Sequence, residues 1–82
     1  MSMPSGPQIR AARALLGLSA KDLARLSGVG WATIQRYEAS DAVPNGQLDK
    51  LNMIAHALED AGIEFIGDPV SSPGVRLKRP KA

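Results

Sequence analysis

The sequence predicts a mainly α fold, four short helices followed by a C-terminal β-hairpin. Three observations carry this prediction. Apolar residues recur at helical spacing in separate stretches between Ser5 and Gly62. Glycines sit where three of those stretches end, at Gly17, Gly28 and Gly62, as left-handed helix stops require. After Gly62 the apolar period shortens to two, first in Ile63/Phe65 and again in Val75/Leu77.

Helix one is expected over residues 7–16. Ser5 and Gln8 form the S-x-x-Q pattern of a capping box. Ile9, Ala12 and Leu16 then share one face. Helix two is capped by Ser19, and Asp22 in its first turn favours the positive end of the helix. Leu18 and Leu23 flank that cap as a hydrophobic staple. The helix runs to Ser27, and Gly28 stops it. Val29 and Gly30 lead directly into helix three, Trp31 to Ala39, with Gly30 as its cap and Val29/Ile34 as a second staple. Ser40 to Gly46 is rich in turn formers and reads as a loop. Helix four is expected from Gln47 to Ala61, with Leu48, Leu51, Ile54, Ala55 and Leu58 inward. A Pro/Ser/Gly turn from Asp68 to Gly74 then joins the two alternating segments. The expected organisation is a flexible stretch 1–6, a helical domain 7–62, a hairpin segment 63–78 and a tail 79–82.

Composition excludes several function classes. The chain of 82 residues has no cysteine and one histidine, His56. Thiolate metal sites and disulfides are therefore out, and no metal or cofactor is expected. No nucleophile–base pair or phosphate loop stands out, so an enzyme is not expected. No apolar run approaches the length of a membrane span. The start, MSMPSGPQ, lacks the basic and apolar regions of a signal peptide. A cytoplasmic setting follows as the expectation. Net charge is +2, but unevenly spread. Residues 1–40 carry five basic and two acidic side chains, 41–68 one and six, and 69–82 four and none. A basic front and tail around an acidic middle suggest a surface for a polyanion. The competing reading is a mixed solvated surface.

Helices two and three, joined by a glycine-containing turn of three residues, have the layout of a helix-turn-helix. The details agree. Ala24 is small where the helices must approach, Gly28 sits at the sharp turn, and Val29 and Ile34 are apolar where the two share a core. The run LSAKDLARLSGVGWATIQRYE resembles the phage-repressor/Cro-type (XRE-like) helix-turn-helix family. Leu18, Ser19, Leu23, Ala24, Gly28, Val29, Ile34, Tyr37 and Glu38 match its pattern in register. Pro44 and LDKLNMIAHAL resemble its loop and fourth helix, and the resemblance spans about residues 8–61. Gly30 departs from a usual serine or threonine, and Ala20 from a frequent glutamine.

The resemblance implies a four-helix, lambda-repressor-like DNA-binding domain and a sequence-specific transcriptional regulator, with repression as one mode. It places helix three in the major groove of double-stranded DNA. At 100° per residue, Ile34, Tyr37 and Glu38 share the inner side, and Ala32, Thr33, Gln35 and Arg36 the outer. Arg36 has the geometry to bind guanine and Gln35 adenine or phosphate. Ala32 suits a thymine methyl and Thr33 a phosphate. Trp31 lies between packing and DNA contact, and Lys21 and Arg25 of helix two are phosphate candidates. Each polar member can also be plain solvated surface, as can Arg76, Lys78 and Arg79 of the tail. Glu38 would, by the resemblance, pair with Arg13 of helix one.

One such motif reads few base pairs, so a homodimer is expected. Ile63, Phe65, Ile66, Val75 and Leu77 crowd a hairpin too small to bury them, and a free strand edge invites pairing. Residues 63–78 are thus the expected dimerisation segment, with Phe65 as anchor. Folding of the hairpin over helices one and four of its own chain is the alternative. A partner-binding module of antitoxin type that retains the helix-turn-helix is the competing function.

Overall fold

The computed structural model describes residues 3–45 and 48–79. Gln47, the expected start of helix four, lies outside the described residues, as do residues 80–82 of the expected tail. The elements in chain order are α1 (Gly6–Leu16), α2 (Ala20–Ser27), α3 (Trp31–Glu38), α4 (Leu48–Asp60), β1 (Ile63–Ile66) and β2 (Gly74–Leu77). This is the mainly α fold with a terminal hairpin that the sequence predicts.

Local chemistry sets the helix ends. The Ser19 hydroxyl accepts from the Asp22 N–H at 3.0 Å, and the Asp22 carboxylate accepts from the Ser19 N–H at 2.9 Å. Two of the unpaired donors at the start of α2 are thereby satisfied. Gly28 ends α2 at φ 77°, where a side chain would be strained. Gly6 answers to a different constraint. A Cβ there would stand 2.0 Å from the Ser40 carbonyl oxygen and 2.6 Å from that of Tyr37. The start of α1 therefore abuts the end of α3, backbone against backbone. Packing extends further back, since Pro4 and Ser5 are also buried.

The core gathers Ile9 and Ala12 of α1, Leu23 of α2, Val29 of the turn, Ile34 and Tyr37 of α3, Leu51, Ile54 and Leu58 of α4, and Ile63 of β1. Leu48 departs from the expected stripe, being 68% exposed. It sits in the first turn of α4 at the rim, beside Met3, Asp49 and Asn52, where no second layer covers it.

Strands β1 and β2 pair antiparallel, Ile63 opposite Leu77 and Phe65 opposite Val75. Strand alternation puts these four apolar side chains on one face. That face lies against α1 and α4 of the same chain. The expected role of Phe65 as a free intermolecular anchor is thus corrected, because its ring packs against its own core. The reason is a tether. Gln8, buried in α1, donates from Nε2 to the carbonyls of Ile66 at 3.2 Å and Gly74 at 2.9 Å, while its Oε1 accepts from the Ser5 N–H at 3.0 Å. One side chain thus caps α1 and holds the hairpin against it.

Candidate nucleic-acid interface

Helices α2 and α3 form a unit closed by the turn Gly28–Gly30. Val29 and Ile34 are buried beneath it, and Ala24 packs against the same core. The Ser27 hydroxyl accepts from the Val29 N–H at 3.2 Å, which satisfies a donor inside the turn. Because the inner side of α3 is fixed by Ile34, Tyr37 and Glu38, its outer side can face only solvent. Ala32, Gln35 and Arg36 are exposed there, and Thr33 is half-buried.

The end of α3 is held from α1 by two arginines. Arg13 donates from Nε and Nη2 to the two Glu38 carboxylate oxygens at 2.9 and 3.0 Å, and from Nη1 to the Leu18 carbonyl at 3.0 Å. Hydrogen bonding to Glu38 raises the Arg13 pKa above its ordinary value, against the opposing effect of burial. Arg10 donates to the main-chain carbonyl of the same Glu38. A cation there also complements the negative end of the helix. The resemblance implied the first of these pairs. Arg10 was not singled out, although its i, i+3 spacing from Arg13 put both on one face.

The positive side chains of α2 lie beside α3. The Lys21 ammonium stands 6.0 Å from the centroid of the Trp31 ring, at the limit of a cation–π contact. Trp31 is 45% exposed, so it is not a core residue. Arg36 lies over the Tyr37 ring at 5.6 Å, its guanidinium still at the surface. Arg25 is exposed but forms an ion pair with Asp22 one turn earlier. Lys21 and Trp31 therefore present charge and aromatic surface together, and Arg36 adds a charge on the exposed side of α3, whereas the charge of Arg25 is partly offset. Arg76 and Lys78 pair with Glu64 on the hairpin, apart from this unit. His56 is exposed on α4. Among the described residues no group of three acidic, histidine or cysteine side chains is placed to hold a metal ion. Among them, too, no helix is long and apolar enough to cross a membrane.

A helix-turn-helix family model matches residues 9–58, which covers α1 through most of α4. No curated protein matches the chain with significance. With the match spanning more than half the sequence, the chain belongs to the XRE-like helix-turn-helix family, whose members are DNA-binding regulators rather than enzymes.

Proposed function

We propose that this protein is a sequence-specific regulator that inserts α3 into the major groove of double-stranded DNA. The observation that carries the reading is the outer face of α3, exposed at Ala32, Gln35 and Arg36 on a helix whose inner face and C-terminal end are both fixed. A rigid mount matters because base readout depends on placing donors to fractions of an ångström. Arg36 reads guanine, Gln35 reads adenine or meets a phosphate, and Ala32 accepts a thymine methyl. Thr33, Lys21, Arg25 and Trp31 fix the register against the sugar–phosphate backbone. Two copies bind as a homodimer, with recognition helices about 34 Å apart, one turn of DNA. Repression by occupancy of the site is the regulatory mode that the resemblance supports.

The test starts by selecting bound duplexes from a random pool, which yields the preferred site. Binding of Arg36→Ala and Lys21→Ala to that site and to unrelated DNA is then compared. A good bidentate base contact contributes about 1 to 3 kcal/mol of discrimination. Arg36→Ala should lose that discrimination, while Lys21→Ala should weaken both duplexes alike. An unchanged ratio in Arg36→Ala, with helix content intact, would remove Arg36 from base reading. A pool that yields no preferred sequence would remove sequence specificity altogether.

A further inference from the structure

The helices of this chain do not end alike. α1 and α2 stop at Gly17 and Gly28, glycines at φ 69° and 77° whose N–H groups turn back onto last-turn carbonyls. α3 ends at Ala39, at φ −77° and ψ −14°, with no left-handed residue to close it. The Ala39 N–H donates to the Gln35 carbonyl at 3.1 Å, and the Ser40 N–H to the Tyr37 carbonyl at 3.2 Å. The carbonyl of Glu38 accepts instead from the Arg10 guanidinium of α1. The chain after α3 is joined to the start of α1 as well, since the Gly6 N–H donates to the Ala42 carbonyl at 3.2 Å. The stop that glycine gives the two preceding helices is thus supplied to α3 by another element. α3 has only eight residues, and its N-cap, Gly30, offers no side-chain bond. So short a helix is marginal on its own, and helix ends are where fraying begins. Gln35 and Arg36, both exposed, lie in that last turn.

We infer that Arg10 is a positioning residue for base readout: it caps α3 from α1 and so holds Gln35 and Arg36 at the bases, without touching DNA itself. The inference rests on the regulator reading above and assigns part of its sequence preference to a side chain off the recognition helix. Two features give Arg10 this role beside Arg13. Arg13 holds the Glu38 carboxylate, which joins the main chain through several rotatable bonds, whereas Arg10 holds the main chain. Arg10 also forms no ion pair among the described residues, so its charge acts undivided on the negative end of α3. Base readout requires donors to be placed within about 0.5 Å. A loosened last turn would misplace Gln35 and Arg36 and leave Lys21, on α2, where it is.

Arg10→Met tests this, because methionine keeps a long side chain of good helix propensity and removes the donors. Binding to the selected site and to unrelated DNA is measured well below the melting temperature. The ratio of the two affinities should fall roughly three- to tenfold, less than in Arg36→Ala. The slope of log K against log salt concentration should stay that of the unaltered chain. In an Arg36→Ala background, Arg10→Met should lower the ratio by less than it does alone, because the side chain it positions is gone. In the free protein the Ala39 and Ser40 amides should exchange faster, with those of α2 and α4 unchanged. An equal loss on both duplexes, with a slope shallower by roughly 0.9, would make Arg10 a phosphate contact and overturn the inference. An unchanged ratio would overturn it too, even with a lowered melting temperature, and so would losses that simply add in the double variant. If the unaltered chain prefers no sequence, the regulator reading fails and the role in readout fails with it. Exchange at Ala39 and Ser40 then still reports, without DNA, whether Arg10 caps α3.

Discussion

Glu38 is only 6% exposed, and a carboxylate so placed would be costly without partners. Arg13 meets it at two points, with side-chain exposures of 26% and 8% for the arginine and the glutamate. An exposed ion pair contributes about 0 to 1 kcal/mol, and this one should exceed that range. A double-mutant cycle with Arg13→Ala and Glu38→Ala, read by chemical denaturation, should give a coupling above about 1 kcal/mol. Additive single effects would show that the two side chains act separately. Three other carboxylates fix the response to acid. The Ser19 N–H and hydroxyl hold Asp22 below its ordinary pKa of 3.8. Arg76 holds Glu64 below 4.5, and the Ser71 and Val70 N–H groups hold Asp68 below 3.8. A carboxylate with a depressed folded-state pKa binds fewer protons than in the unfolded chain, so stability rises with pH across the interval between the two values. The melting temperature should therefore be level above the ordinary values of 4.5 and 3.8 and fall as pH drops through and below them. All three groups are at the surface, so the fall should be gradual. Asp22→Asn should flatten part of it, and a titration curve identical to the parent's would exclude the cap as a contributor.

At the level of elements, the docking of the hairpin depends on Gln8. Gln8→Ala removes donors from the Ile66 and Gly74 carbonyls and an acceptor from the Ser5 N–H. Leaving a buried group such as the Ser5 N–H unsatisfied costs about 1 to 3 kcal/mol, and the partly buried Ile66 and Gly74 carbonyls lose their donor as well. Hydrogen exchange should accelerate in β1 and β2 well beyond any change in α2 and α3. Equal acceleration throughout would mean that the hairpin does not open as a unit. The sequence shows some of these relations and hides others. The caps at Ser19 and Asp22 and the stop at Gly28 are legible because they act within one turn of chain. Gln8 shows its local half, the capping box with Ser5, but not its bonds to residues 58 and 66 positions away. Gly6 is silent for the same reason, since what forbids a Cβ there is the backbone of Tyr37 and Ser40. Leu48 fits the stripe of α4 by periodicity, yet periodicity does not tell where the covering layer ends.

Across the whole molecule, the distribution of charge separates the two ends of the fold. Arg76 and Lys78 are engaged with Glu64 on the hairpin, whereas Lys21 and Arg36 stand near the Trp31 and Tyr37 rings and, among the described residues, form no ion pair. The cations without a carboxylate partner in this comparison thus flank the outer face of α3. That face was legible from helical geometry and residue type, because a short helix with a fixed apolar side leaves its opposite side no choice. The pairing of Arg25 with Asp22, which offsets one of the expected phosphate contacts, depends on side-chain conformations that spacing does not determine. The central claim, that this surface binds duplex DNA through its phosphates, is tested most directly by the salt dependence of binding. Each phosphate contact adds roughly 0.9 to the negative slope of log K against log salt concentration. A steep negative slope is predicted, made shallower by roughly 0.9 in Lys21→Ala. An affinity that stays flat from low to moderate salt would contradict it.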